Sequence, residues 1–190
     1  MIDKKYLGKI RAEMLSYSRM RRDMIKTAGD AQHLSKKAIF AFQRDDKKGG
    51  EECLSQAEKI ILNLTNKYKK DTAIFEEGFY RAALEEFAEA SIFFQFLSKK
   101  SLGKILKIEI DPDVFIGGLC DVPGELLRYA IKSATERKFD EVKKCHDSAE
   151  EIIGELVDMD LTGYNRQKFD QAKQALHKLE QVVYEVSMKN

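Results

Sequence analysis

The residues with the most chemistry to offer are acidic, and they fall in two short runs. ALEEFAEASIFF carries Glu85, Glu86 and Glu89, and GLCDVPGELL carries Asp121 and Glu125. Glu86 and Glu89 are three apart and Asp121 and Glu125 four apart, so each pair shares a face if its segment is helical. Both runs are flanked by apolar residues. Carboxylates in such a setting meet water, meet a cation, or carry a desolvation cost. Side chains that offer only oxygens are hard ligands, suited to Mg2+ or Mn2+. Without a cation, like charges at short range raise one another's pKa. A hard divalent ion held by Glu86, Glu89, Asp121 and Glu125 could orient a phosphodiester and generate hydroxide. The plainer alternative is that these carboxylates face solvent, or pair with Arg81, Arg128 or nearby lysines.

Other chemistries find less support. A di-iron carboxylate site needs Glu-x-x-His on two helices, and none of His33, His146 and His177 follows a Glu at that spacing. Cys53, Cys120 and Cys145 are widely spaced and form no Cys-x-x-Cys pair, which argues against zinc or a disulfide framework and favours a reducing, cytoplasmic setting. No serine-nucleophile motif is present. The net charge of +1 hides an asymmetry: residues 1–50 hold thirteen Lys or Arg against six Asp or Glu. Lys9, Arg11, Arg19, Arg21, Arg22, Lys26, Lys36 and Lys37 lie along this first segment. Clustered cations on one element are a footprint of phosphate binding, although a long helix also needs a solvated face. No helix-turn-helix, RNA-recognition or zinc-finger pattern accompanies them, so base-specific readout is not indicated.

The elements that must position these residues are helical. Two prolines, little strand-like alternation and long runs of Ala, Leu, Glu and Lys point to an all-α chain, and 190 residues suit a single domain over 1–190. The spacing predicts a very long N-terminal helix from about Lys4 to Gln43, with Ile10, Met14, Met24, Ala28, Ala31, Leu34, Ala38 and Phe42 as its apolar positions. A polar loop follows over Arg44–Glu52, hinged at Gly49–Gly50. The second helix ends near Tyr68. The third starts from a cap at Asp71–Thr72 and runs to about Ser98, apolar around most of its circumference. Asp111 suits an N-cap and Pro112 the first helical position of the next helix, which runs to about Arg137. Inside it, the small residues Gly117, Gly118 and Gly124 permit close approach of a neighbouring helix or of RNA backbone, and Pro123 should kink it and disturb the aim of Asp121 and Glu125. Heptad spacing predicts two more helices, from Phe139 to Asp158 and from about Asn165, packed antiparallel. No apolar run approaches a membrane span, and the N-terminus has no signal-peptide apolar region.

These segments resemble the translin and translin-associated factor X (Trax) family. The carriers are GLCDVPGELLRYAI (Gly118–Ile131), ALEEFAEASIF (Ala83–Phe93) and the C-terminal NRQKFDQAKQALHKLEQVVYEVSMKN, with RRDMIKTAGDAQHLSKKAIF (Arg21–Phe40) as a weaker match. The resemblance implies an all-α bundle of about seven helices, assembled into a barrel-like octamer that binds single-stranded RNA or DNA inside. Trax-like members carry acidic pairs and act as Mg2+-dependent endoribonucleases. Glu86 and Glu89 match the Trax pair of the middle helix, and Asp121 and Glu125 match its Asp-x-x-x-Glu pair, so the chain looks Trax-like. Glu85 stands where the family usually has a neutral amide and is expected to support the site from outside the ligand set. Pro123 replaces the family's Thr. The compact chain suits a prokaryotic, archaeal source in which one protein forms the whole octamer.

Together these observations imply a metal-dependent endoribonuclease on single-stranded RNA. Glu86, Glu89, Asp121 and Glu125 would bind Mg2+ or Mn2+, and Arg19, Arg22, Lys26, Lys37, Arg81 and Arg128 would hold the nucleic acid. The partner chains would be copies of itself or a translin-like protein. The competing reading is a non-catalytic translin-like binder of single strands. A helical protein-interaction module is the third.

Overall fold

The computed structural model describes residues 2–69 and 72–188, and among these every regular element is helical. Six α-helices, α1 (Lys4–Gln43), α2 (Lys47–Tyr68), α3 (Gly78–Leu97), α4 (Pro112–Thr135), α5 (Phe139–Val157) and α6 (Gly163–Ser187), are joined by a short 3-10 helix at Thr72–Glu76. α1 packs against α2 and α3, α3 against α4, and α4 against α5 and α6. None of these helices is long and apolar enough to cross a membrane.

Two apolar cores lie end to end. One joins Met24, Ala28 and Ala31 of α1 to α2, to Ala83, Leu84 and Phe87 of α3, and to Ile108 and Val114. The other joins Ala38, Ile39 and Phe42 of α1 to Ala90, Ile92 and Phe93 of α3, and to α4, α5 and α6. α1 and α3 run through both. The heptad positions Val142, Cys145, Ala149, Ile152 and Leu156 of α5 are buried as the spacing predicts, facing Phe169, Ala172 and Leu179 of α6.

Four helices run in the same direction, and that arrangement creates the site. Lys36 meets Glu86 while Phe42 stacks near Phe94, so α1 and α3 are parallel. Gly118 lies against Glu85 while Tyr129 meets Phe93, which makes α4 parallel to α3. Asn165 reaches Asp113 while Lys168 reaches Asp121, so α6 follows α4. α3 and α4 approach so closely because Gly118 has no side chain: a Cβ there would stand 2.6 Å from the Glu85 carbonyl oxygen and 2.9 Å from the Ala88 Cβ.

Several boundaries differ from expectation. Gly49 and Gly50 are not a hinge but belong to α2. Asp46 caps that helix, accepting from the Gly49 N–H at 2.9 Å, and the cap offsets the helical cost of the glycines. Gly50 is buried against the Phe42 ring. The connection shrinks to Arg44–Asp46. α3 begins at Gly78 and the segment before it is a 3-10 helix; the expected cap residue Asp71 lies outside the described residues. In α1, Met14 is 62 % exposed because the first turns extend past the bundle, whose contacts begin where Tyr17 and Arg21 donate to Glu77 at 2.6 and 3.0 Å. At α4 the expected start holds, with Asp111 accepting from the Asp113 N–H at 3.0 Å and Pro112 as the first helical residue.

Candidate functional site

The acidic residues do gather, at the level where one core gives way to the other. Glu85, Glu86 and Glu89 project from α3 between Leu84 of the first core and Ala90 of the second, and Asp121 and Glu125 project from α4. Glu89 is the innermost, only 8 % exposed. Burial first, and then the charges of Asp121, Glu86 and Glu125 in that order, push its carboxyl up to about 9. The other three acids therefore lie within electrostatic range of it. Among the described residues no side chain hydrogen-bonds its carboxyl.

Each of its neighbours has a cation of the chain itself. Lys168 of α6 donates to Glu85 Oε1 at 2.5 Å and to Asp121 Oδ2 at still shorter range, and contacts the Gly117 carbonyl at 3.3 Å. Arg128 spans both oxygens of Glu125 at 3.0 and 3.1 Å. Gln43 of α1 donates to Glu125 Oε2 at 2.8 Å and to its backbone carbonyl at 2.9 Å. Lys36 stands 3.5 Å from Glu86. Burial raises Glu86 and Asp121 above the usual carboxylate range, against the pull of Lys36 and Lys168 respectively. Burial alone would lower Lys168, but Asp121 and Glu85 more than reverse this and hold it charged. The plainer alternative read from sequence is thus realised in part, since Arg128 and lysines pair with three of the four acids.

Held in this way, no three Asp, Glu, His or Cys side chains among the described residues converge closely enough to grip a metal as they stand. The donor set nonetheless suits a hard divalent ion. It consists of oxygens only, and its central carboxyl is buried among three others without a cation of its own. Five carboxyls face three ammonium or guanidinium groups, so full ionisation leaves a charge that one divalent ion would balance.

Pro123 does not undo the pair on α4. The helix runs through it unbroken, the ring is buried, and Glu125 still raises Asp121 through space. Gly117 is needed for Glu85, whose carboxylate fills the space a Cβ would take. The close helix approach expected at Gly124 does not occur, because a Cβ there would have nothing within 4 Å among the described residues. Glu85 is more deeply engaged than expected, accepting from Lys168 and from the Tyr164 hydroxyl at 2.9 Å. Cys120 is buried beside Asp121, where burial pushes its thiol up to about 11, so it stays a core residue.

The basic residues divide into two groups. Arg19, Arg22, Lys26 and Lys37 are exposed along α1, and among the described residues no ion pair engages them. Arg81 instead sits between Glu76 at 3.6 Å and Asp111 at 3.5 Å, and Arg128 is held by Glu125. Lys168, Gln43 and Tyr164 were not singled out from sequence. Lys168 directly precedes the heptad residue Phe169, a flank where a lysine is ordinarily a solvated stem, so nothing local marks it.

Comparison with known proteins agrees with this architecture. The crystal structure of AfC3PO has a TM-score of 0.90 at 20% identity, covering 97% of this chain and 98% of that one. The AfC3PO–duplex RNA complex gives 0.88 at 20% identity, over 97% and 98%. Apo-NeC3PO gives 0.86 at 18% identity, over 98% of each chain. At these identities the likeness speaks for the fold. A comparison with curated proteins gave no match. Residues 19–190 match the Translin family model, and the chain belongs to the translin family.

Proposed function

We propose that this protein is a metal-dependent endoribonuclease acting on single-stranded RNA within an oligomer. The observation that carries the reading is Glu89, a buried carboxyl within the fields of Glu86, Asp121 and Glu125 that no cation pairs with among the described residues. An inert scaffold has no use for such a group, which costs stability whenever it ionises. Glu86, Glu89, Asp121 and Glu125 are the residues that would hold Mg2+ or Mn2+. When bound, such an ion supplies Lewis acidity toward a phosphodiester and acidifies water.

The chain's own groups provide the rest. Gln43 and Arg128 fix Glu125 from two sides, and Lys168 holds Asp121 while no cation is bound. Glu89 gives up its proton on loading, because only the carboxylate ligates. Arg19, Arg22, Lys26 and Lys37 offer free cations to phosphates along α1, while Lys36 and Arg128 stand beside the acids and can turn to a phosphate once these are otherwise neutralised. No side-chain nucleophile is required. The duplex RNA bound by AfC3PO, a protein of the same fold, supports RNA as the ligand class, and single-stranded DNA is the second ligand to try. Tyr6, Leu7, Met14 and Leu15 on the projecting start of α1, with Ile2 just before it, leave apolar surface open, which suits assembly, as an octamer of this chain or with a translin-like partner.

One observation favours the non-catalytic binder: the chain's own cations already pair with three of the four acids. Cleavage of a labelled single-stranded RNA separates the two readings. With Mg2+ or Mn2+ the wild type should cut, and Glu125→Gln should bind the RNA without cutting it. Undiminished cleavage in that variant or in excess EDTA would sink the nuclease reading, and salt-sensitive binding without turnover in the wild type would establish the binder. Native mass measurement tests the assembly.

A further inference from the structure

Lys168 differs from the other cations of the cluster. Arg128 is more than half exposed, and so is Lys36, so each can swing to a phosphate. The Lys168 side chain is 11 % exposed, and its ammonium already has three acceptors: Glu85, Asp121 and the Gly117 carbonyl. An ammonium has three donors, so this one has none left for RNA. Its anchor is also fixed. Glu85 is held by Tyr164, one turn before Lys168 on α6, and fits into the space left by Gly117. Asp121 is the looser partner, 33 % exposed and on the open side of the pair.

We propose that Lys168 is a built-in counterion that competes with a divalent cation for Asp121. It pins Asp121 to Glu85 while no cation is bound, releases Asp121 when one arrives, and so sets how tightly the site loads. Lys168 is thus a positioning residue. The inference rests on the metal reading above, because without a cation there is nothing to compete with. It also explains why the acids do not grip a metal as they stand, since Asp121 is turned toward α6.

Calorimetric titration of the intact protein with Mn2+ alone, without RNA, tests this. Lys168→Met should bind Mn2+ about tenfold tighter or more, since a like charge is gone from beside a ligand. Lys168→Arg should stay close to wild type. A double variant, Lys168→Met with Glu85→Gln, removes the cation and its anchor together. It leaves the net charge of the cluster unchanged and leaves no buried Glu85 carboxylate unpaired to impair folding. It too should bind Mn2+ tighter than wild type, because competition for Asp121 is relieved and overall charge is not altered. Wild-type binding with unchanged or weaker binding in the double variant overturns the inference and leaves the metal reading standing. No binding of Mn2+ by wild type or by the double variant overturns both.

Discussion

The protein carries two concentrations of charge and treats them in opposite ways. On α1, Arg19, Arg22, Lys26 and Lys37 stand in solvent and make no ion pairs among the described residues. Around Glu89 the carboxylates are drawn inward, ringed by Gln43, Lys36, Arg128 and Lys168, and partly denied ionisation by burial. Solvated charges cost the fold little and can be lent to any phosphate. Buried ones cost stability and persist only where something else compensates. The difference identifies the acidic cluster as a built feature and the basic stripe as an available one.

Removing the centre of the cluster should have the largest effect. Glu89→Gln should reduce Mn2+-dependent RNA cleavage at least about a hundredfold while RNA affinity, read by a filter or polarisation assay, holds steady. The same residue governs the response to pH. Its carboxyl stands at about 9 in the fold, against 4.5 for an unperturbed glutamate. The protonated form is the one the fold favours, so its stabilising contribution is complete below about pH 4.5 and is lost as pH climbs toward 9. In metal-free buffer, stability should fall by up to about 1.4 kcal/mol per pH unit across that window. Denaturant melts of Glu89→Gln should show a flatter profile. Mn2+ affinity should run the other way, rising with pH as the proton is lost.

Smaller effects come from the scaffold. Gly118→Ala should cost about 1–3 kcal/mol by forcing α3 and α4 apart. Gly124→Ala, with open space around it, should be neutral or stabilise by up to about 1 kcal/mol through helix propensity. Thermal melts of the two variants compare them directly. Smallest of all, Arg22→Ala or Lys26→Ala should weaken RNA binding severalfold and lower the salt slope by about one each, without changing the metal titration. If either changed Mn2+ binding, the separation between the two charged regions would be false.

The sequence carried local information well and long-range information poorly. Asp111–Pro112 and the heptad from Val142 to Leu156 are local signals, and the helices follow them. Gly49–Gly50 misled because a cap at Asp46 and the Phe42 ring outweigh two poor helix formers. Met14 kept helical spacing yet has no core to join, since spacing cannot tell where the neighbouring helices end. The pairing of acids on separate helices was legible, because each pair has its own spacing. Lys168 was not, since what distinguishes it is 83 positions away, at Glu85.

One consequence of the twin apolar cores concerns how the chain comes apart. α1 and α3 each thread both, and α4 adds Val114 to the first while filling the second, so neither half can melt without tearing helices that the other needs. Unfolding should then be a single cooperative event, and hydrogen exchange should give the innermost amides of both halves the same opening free energy. A cation loaded at the boundary would clamp α3 to α4, both of which reach into the two cores, and slow exchange at both ends of the molecule at once.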